Sequence, residues 1–208
     1  MSAGFIVTGT DTGIGKTVFS AALAGALHGY YWKPIQSGLD GETDSDAVRR
    51  LSGLSPDRIL PEAYRLKLPA SPHISAAREG TEIDPERMPL PWGARPIIIE
   101  GAGGLLVPLS GCRLQVEQFL AWDLPVILCA STALGTINHT LLSLEALKTR
   151  RAHLLGIAFV GDPAEEAEHA IASFSGTPRL GRLPFVAPLD AAPLAAAFRS
   201  NFDLAAFA

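Results

Sequence analysis

The sequence predicts a doubly wound α/β fold, a mainly parallel sheet with helices on both faces. Short apolar runs alternate along the chain with segments of helical spacing. The runs at 96–99 and 125–128 are continuously apolar, as expected of parallel strands that are covered on both faces. The first run leads directly into a glycine-rich turn and a helix, which is how many nucleotide-binding sheets of this class begin.

Each predicted element follows from its local pattern. Apolar runs predict strands at 5–8, 30–33, 96–100, 125–130, 154–160 and 179–183. Helical spacing predicts helices at 16–27, 44–52, 114–120, 137–151 and 163–173. The proline-rich segment 54–92 is expected to hold short helices and turns instead of sheet core. Since no repeat or linker marks a boundary, residues 1–208 are expected to form a single domain.

Composition and charge narrow the class of protein. A chain of 208 residues with 48% hydrophobic and 18% charged residues is neither disordered nor fibrous. Its formal charge of −4 offers no footprint for nucleic acid and is compatible with a cationic small substrate. Cys112 and Cys129 lack metal-ligand spacing, so buried or partly buried thiols are expected. The first strand starts near Gly4 without a charged leader, and no apolar run reaches about 18 residues, so a soluble, cytoplasmic protein without a membrane partner is expected.

The most informative motif lies between the first strand and the first helix. Gly13 and Gly15 allow backbone N–H groups to close on phosphate oxygens, Lys16 supplies a mobile cation, and Thr17 offers a hydroxyl to magnesium. The positive end of the following helix would face the anion. The sequence therefore predicts a P-loop NTPase-like domain with a triphosphate cradle formed by Gly13, Ile14, Gly15, Lys16, Thr17 and Val18.

The spacing of this loop departs from the usual pattern. Five residues instead of four separate Gly9 from Gly15, and Thr10 stands where the first glycine is usual. The alternative is an ordinary glycine-rich turn with an exposed Lys16. The order of strand, turn and helix favours the phosphate cradle.

Ligands of such a sheet bind outside the carboxyl ends of its strands, so the residues that follow each strand are candidates. After the second strand, Lys33 precedes Pro34 and Ser37 precedes Gly38, which places a cation and a hydroxyl at the mouth of the site. Lys33 is either a solvated side chain or a second phosphate contact.

Two acidic segments offer metal ligands. In the stretch 44–47, Asp44 or Ser45 is a candidate helix N-cap and Asp46 a candidate metal ligand, and capping alone explains the pattern about as well. Glu100 ends a strand and is followed by the glycine-rich stretch 101–104, so its carboxylate suits magnesium and the glycines allow close backbone approach. The alternative is a strand-terminal Glu before a flexible turn.

One further candidate is set aside. A lone His near a helix N-terminus is more often structural, so His139 is assigned no catalytic role. The cradle, the two carboxylates and the second lysine together indicate phosphoryl transfer from a magnesium–nucleoside triphosphate, and they leave the acceptor open.

In the order and spacing of these motifs the chain resembles the dethiobiotin synthetases, ATP-dependent ligases that close the ureido ring in biotin synthesis. The resemblance runs nearly end to end, and the extra residue between Gly9 and Gly15 is itself typical of that family. It rests on the segments 9–17, 33–38, 44–47, 71–76, 100–104 and 134–139. It implies a homodimer that uses Mg2+ and takes 7,8-diaminononanoate, CO2 or bicarbonate, and ATP.

The resemblance also implies the reaction and its residues. One amine captures CO2 as a carbamate, the γ-phosphoryl group activates the carbamate, and the second amine closes the ring. Lys16 and Lys33 would be the catalytic cations. The implied metal ligands are Thr17, Asp46 and Glu100; the implied substrate contacts are Thr12 and Ser37, with Leu134, Gly135 and Asn138 from the partner subunit; further implied nucleotide contacts are Asp46, Glu100, Gly101, Ala102, Gly103, Pro184, Phe185 and Val186.

One departure from the family concerns the nucleotide base. Family members often place Asn-Asp where this chain has Gly161 and Asp162 after Val160, and some carry an acid in place of Pro188. Because an amide reads a base through a paired donor and acceptor, its loss predicts that other nucleoside triphosphates serve beside ATP.

Three other interpretations of the motifs stay open. ParA/MinD-like ATPase switches usually carry an additional early lysine in the loop, where this chain has the residues 10–12. Amidoligases that make cobyrinic-acid amides append a glutamine amidotransferase domain, for which 208 residues leave no room. A non-enzymatic nucleotide-binding module is compatible with the fold alone.

Overall fold

The frame of the molecule is a parallel sheet whose central strand leads into the glycine-rich loop. The computed structural model describes residues 4–91, 96–111 and 113–207. Their strands are β1 (Gly4–Gly9), β2 (Tyr30–Trp32), β3 (Ile35–Ser37), β4 (Ile59–Leu60), β5 (Tyr64–Leu66), β6 (Ile97–Gly104), β7 (Pro108–Ser110), β8 (Arg113–Leu114), β9 (Val126–Ser131), β10 (Leu154–Val160) and β11 (Arg179–Leu183). Seven of these described strands form one sheet in the order β11-β10-β9-β1-β6-β2-β4, with every neighbouring pair parallel.

The helices cover both faces of this sheet. They are α1 (Lys16–Ala26), α2 (Asp44–Leu51), α3 (Pro72–Arg78), α4 (Gln115–Trp122), α5 (Thr136–Thr149), α6 (Glu165–Ser175) and α7 (Ala191–Asn201). One buried cluster joins α1 and α7 to the sheet, and the rings of Phe198 and Phe202 stack there at 4.6 Å. Trp32, Phe119 and Trp122 belong to a second cluster. The doubly wound fold is thereby confirmed.

The predicted elements are confirmed to within a few residues, but the short strands β3, β4, β5, β7 and β8 were not predicted. The segment 54–92 does hold a helix, α3, and two short 3-10 turns, but its β4 adds to the edge of the main sheet and its β5 pairs with β3. The alanine-rich α7 was not predicted, although its Leu194 and Phe198 are fully buried. Among the described residues, no helix is long and apolar enough to cross a membrane.

The two cysteines have different outcomes. Cys129 is buried in β9 as a free thiol, which confirms the prediction for it, and burial raises its pKa. The prediction for Cys112 lies outside the described residues.

Candidate active site

The loop between β1 and α1 has the backbone shape of an anion cradle. Gly13 and Gly15 have φ angles of +74° and +93°, in the left-handed region that favours glycine. A Cβ on Gly15 would also lie 2.7 Å from Cγ1 of Val160, so a side chain does not fit there. Gly15 caps α1, whose first N–H groups have no partner inside the helix. The loop therefore presents backbone donors and the positive end of α1 at one place.

Lys16 lies across this loop and is largely withdrawn from water. Its Nζ donates to the carbonyl oxygen of Asp11 at 2.7 Å, and only 5% of the residue is exposed. Burial lowers the pKa of Lys16, and the neighbouring Lys33 acts in the same direction, while Glu100 opposes both. A poorly hydrated cation of this kind interacts strongly with an anion that enters the loop.

Glu100 is the buried anion at the centre of the site. Its Oε1 lies 2.9 Å from Thr17 Oγ1 and 3.2 Å from Lys33 Nζ, and its Oε2 accepts a hydrogen bond from the Tyr31 hydroxyl at 2.9 Å. Both oxygens are thus held, and the carboxylate has a fixed orientation. The same contact helps raise the pKa of Tyr31, for which burial is the larger cause.

Lys33 and Asp44 complete the cluster. Lys33 Nζ lies 2.5 Å from Asp44 Oδ2, 3.2 Å from Glu100 Oε1 and 3.3 Å from the Gly101 carbonyl oxygen, so all three of its N–H donors have partners. Burial alone would lower the pKa of Lys33, but the two carboxylates outweigh it and raise that pKa. Burial alone would raise the pKa of Asp44, but Lys33 outweighs this effect, so the pKa of Asp44 is lowered. Thr17 Oγ1 lies 3.1 Å from Asp44 Oδ1, so its single proton is shared between two carboxylates.

The structure brings Asp44, not the predicted Asp46, to this cluster. Asp46 forms a capping box with Thr43, and its Oδ1 pairs with Arg49 at 2.6 Å. Thr43 is the N-cap, which also corrects the expected caps Asp44 and Ser45. Because residues two apart on a helix point to nearly opposite sides, only one of the two aspartates can face Lys33. A threonine three residues before an acidic side chain was the signal in the sequence.

A cavity of about 410 Å³ opens beside this cluster. Its lining includes the predicted substrate contacts Thr12 and Ser37, together with Lys33 and Asp44. The buried Ser37 Oγ has no hydrogen-bond partner among the described residues. A polar ligand in the cavity would satisfy it. The predicted nucleotide contacts Ala102 and Gly103 lie in the wall of this larger cavity, and Gly101 contacts Lys33 behind it.

A second cavity, of about 210 Å³, lies on the other side of the glycine-rich loop. The predicted contacts Gly13, Ile14, Gly15, Val18, Pro184, Phe185 and Val186 all line it. Val160, Leu183 and Leu189 also line it, and Ser131 supplies the one polar side chain among its described lining residues. This smaller cavity has the apolar character and the position expected of a nucleobase site.

The three residues predicted to act from a partner subunit lie apart from both cavities. Leu134 is fully exposed, Gly135 caps α5 with a φ of +95°, and Asn138 is exposed in the first turn of that helix. His139 is exposed beside them.

The sequence model of a family described as "AAA domain" matches residues 3–193 of the chain. A protein of Rhodopseudomonas palustris (strain TIE-1), named ATP-dependent dethiobiotin synthetase BioD, is 58% identical over 203 residues, which are 98% of this chain and 96% of that protein. The chain belongs to the ATP-dependent dethiobiotin synthetase family. Relatives of the same name are 58% identical in Rhizorhabdus wittichii, over the whole of both chains, and 57% identical in Brucella anthropi, over 100% of this chain and 98% of that protein.

Solved structures place this synthetase family member among related nucleotide-binding folds. A ParA family ATPase from Chlorobium tepidum matches with a TM-score of 0.60 at 14% identity, over 96% of this chain and 92% of that one. A chain of the MinC:MinD cell division protein complex from Aquifex aeolicus matches with a TM-score of 0.51 at 14% identity, over 88% of this chain and 81% of that one. At this identity the likeness shows the fold alone. The ParA/MinD-like interpretation is therefore supported by the shared fold and by no similarity of function.

Sequence reasoning missed two side chains that shape the synthetase site. Tyr31 binds the Oε2 of Glu100 from the middle of an apolar strand, and Gln115 binds the backbone that follows Glu100. Neither residue stands in a motif. Their roles become visible only from the hydrogen bonds that they make in the folded structure.

Proposed function

We propose that the two cavities hold the two halves of one ligase reaction, the nucleotide base in the smaller cavity and the diamine in the larger. The chain is a member of the ATP-dependent dethiobiotin synthetase family, whose reaction closes the ureido ring from 7,8-diaminononanoate, CO2 and ATP. The observation that carries the proposal is the convergence of Thr17, Lys33, Asp44 and Glu100 at the edge of the larger cavity, beside the phosphate loop. We propose residues 1–208 as one ligase domain.

The donor set of this cluster fits Mg2+. Magnesium is usually held by one or two carboxylates and by substrate phosphates, and the Thr17 hydroxyl lies 3.1 Å from Asp44 Oδ1 and 2.9 Å from Glu100 Oε1. Among the described residues, no group of three His, Cys, Asp or Glu side chains could hold a metal ion. When bound, Mg2+ would neutralise phosphate oxygens. These three residues would hold it.

The two lysines have separate tasks in the proposed mechanism. Lys16 would exchange the Asp11 carbonyl for a phosphate oxygen, because that carbonyl is a neutral partner and a phosphate oxygen is a charged one. Lys33 is fixed by three partners at the cavity wall, so it would stabilise the carbamate and the moving phosphoryl group without reorganising. Thr12 and Ser37 would orient the carbamate and the diamine, and the unpaired Ser37 hydroxyl supports this.

The start of α5 supports a homodimer. Leu134, Ile137 and Leu142 are exposed apolar side chains on or next to this helix. A second copy that covers them would bury apolar surface and would bring Gly135 and Asn138 to the carboxylate tail of the diamine in the neighbouring subunit. The use of ATP supports a cytoplasmic location.

The smaller cavity supports use of several nucleoside triphosphates. The N–H of Gly161 donates to the Leu183 carbonyl at 3.0 Å and the N–H of Thr132 donates to the Val160 carbonyl at 3.2 Å, so these two backbone donors are already used. Ser131 remains as a polar side chain in the lining. A base bound by contact area is poorly discriminated from another of similar size.

Phosphate release measured with each substrate omitted in turn tests the proposal. A ligase releases phosphate only when ATP, 7,8-diaminononanoate and bicarbonate are all present, and it forms dethiobiotin in equal amount. Hydrolysis that ignores the diamine and bicarbonate would instead support a ParA/MinD-like switch.

A further inference from the structure

The wall of the larger cavity formed by Ala102 and Gly103 is held by one side chain of α4. Gln115, the first residue of α4, is 3% exposed and does not line that cavity. Its Oε1 accepts a hydrogen bond from the N–H of Ala102 at 2.6 Å, and its Nε2 donates to the carbonyl oxygen of Gly104 at 2.8 Å. A carboxamide offers an acceptor and a donor side by side, so Gln115 pairs with this segment as a neighbouring strand would.

The backbone of α4 secures the placement of that carboxamide. The N–H of Gln115 donates to the Val107 carbonyl at 2.8 Å, and the N–H of Val116 donates to the Leu105 carbonyl at 3.2 Å. Val107 is itself a lining residue of the larger cavity. The first turn of α4 therefore makes four hydrogen bonds to the segment 102–107, two through the Gln115 side chain and two through the backbone.

The opposite side of the same segment faces the catalytic groups. A Cβ on Gly103 would lie 3.3 Å from Thr12 Oγ1, so the segment packs against the phosphate loop. Gly104 pairs with Gly9 of β1, and the Gly101 carbonyl accepts from Lys33. A shift of this segment would change the distance from the cavity wall to Thr12 and to Lys33.

We propose that Gln115 is a positioning residue for ring closure, which holds the backbone of 102–104 at a fixed distance from Thr12 and Lys33. Gln115 touches no substrate and acts through the wall. Ring closure needs both amines of the diamine close to one carbon, and a displacement of about 1 Å at such a site costs up to a hundredfold in rate. The inference rests on the proposed function.

The variant Gln115→Met tests this role, because methionine keeps the length of the side chain and removes both hydrogen bonds. Gln118→Met is the matched control: Gln118 lies on the same helix, is 5% exposed, and its Oε1 has no partner among the described residues. Three quantities are measured for each protein, namely the midpoint of thermal unfolding, the affinity for ADP by calorimetry, and kcat/KM for the diamine. ADP lacks the γ-phosphoryl group, so its affinity reports on the nucleotide site and not on the position of the cavity wall formed by Ala102 and Gly103.

For Gln115→Met we expect kcat/KM for the diamine to fall by about tenfold or more, with ADP affinity unchanged. Gln118→Met is expected to match the wild type in kcat/KM for the diamine and in ADP affinity. If Gln115→Met does not fold, Gln115→Glu, which keeps the acceptor for Ala102 and turns a charged oxygen toward the Gly104 carbonyl, is expected to show the same selective loss. Wild-type kcat/KM in a folded variant, or equal losses for ADP and the diamine, would overturn the positioning role. The wild-type enzyme assayed alongside tests the proposed function separately, since an inactive wild type contradicts that function whatever the variants do.

Discussion

The two cavities on either side of the glycine-rich loop differ in what holds a ligand in them. The larger one is edged by Lys33 and Asp44, and Lys33 Nζ lies 2.5 Å from Asp44 Oδ2 and 3.2 Å from Glu100 Oε1. The smaller one is lined by apolar side chains such as Val160 and Phe185. Under the proposed assignment, the reacting groups would lie beside a fixed set of charges, whereas the base would lie against an apolar surface.

Physical reasons favour polar contacts in the larger cavity and apolar contacts in the smaller one. Charges held in a poorly hydrated site stabilise a developing charge without the cost of reorganisation, so precise polar contacts are most useful where bonds form and break. The base undergoes no chemistry, so contact area would be enough to retain it in the proposed site. Variants that act on one cavity only test this difference between the two cavities.

The largest effect is expected from the lysines of the charged site. Lys33→Ala and Lys16→Ala should each lower kcat by about 10²-fold to 10³-fold, because each removes a buried positive charge from beside the developing negative charge. Steady-state kinetics on variants shown to be folded by circular dichroism measure this. Lys67→Ala, at an exposed position, is the matched control and should retain wild-type kcat. A Lys33→Ala enzyme as active as this control would remove Lys33 from the mechanism.

The second effect separates the two aspartates of α2. Asp44→Asn should raise the Mg2+ concentration needed for half-maximal activity by at least about tenfold, because a neutral oxygen is the weaker ligand. Asp46→Asn should leave that requirement unchanged and cost at most about 1 kcal/mol of unfolding free energy, since the Asp46 carboxylate serves the helix cap. Magnesium titrations and chemical denaturation provide both numbers. The reverse order of Mg2+ requirements would restore the ligand expected from sequence.

A smaller effect concerns acid stability. Lys33 lowers the pKa of Asp44 in the folded protein, so the pair contributes stability above the unfolded pKa of about 4 and loses it as pH falls through the lower folded value. The difference in unfolding free energy between the wild type and Asp44→Asn should therefore shrink on acidification. Urea denaturation at pH 7 and at pH 3 tests this. A difference independent of pH would show that Asp44 is not ionised in the pair.

The smallest effect is expected at the base. Because two nearby backbone donors are used and Ser131 is the one polar side chain of the described lining, kcat/KM for ATP, GTP and CTP should differ far less than the roughly 10⁴-fold of a hydrogen-bonding pocket. A strong preference for ATP would show that polar groups outside this lining read the base. The contrast between the two cavities would then fail.

The sequence predicts contiguous parts of this site well and dispersed parts poorly. Residues 13–18 act through local backbone geometry, which their order determines, and the structure brings them together as expected. Glu100 was found because strand ends converge in a parallel sheet. Asp44 was missed as a ligand because the choice between the two aspartates depends on which residue caps α2, and the cap is Thr43 instead of the expected Asp44 or Ser45.

Other misses have tertiary causes. In the sequence, Tyr31 is indistinguishable from the other core residues of β2. Its role appears only in the fold, where its hydroxyl donates to Glu100. Gln115 becomes visible only when α4 packs against the end of β6. Helix α7 has a weakly amphipathic alanine-rich sequence, and its stability comes from Leu194 and Phe198 packing into the cluster around α1.

Oxygen tracing tests whether the charged cluster promotes transfer of a phosphoryl group to a carbamate. In that route an oxygen of CO2 attacks the γ-phosphorus, ADP leaves, and ring closure breaks the carbon–oxygen bond, so the oxygen departs with phosphate. With ¹⁸O-labelled bicarbonate in unlabelled water, and with exchange between CO2 and water limited by short reaction times, one ¹⁸O atom is expected in each phosphate formed with dethiobiotin. Phosphate that takes its new oxygen from water would contradict phosphoryl transfer to a carbamate.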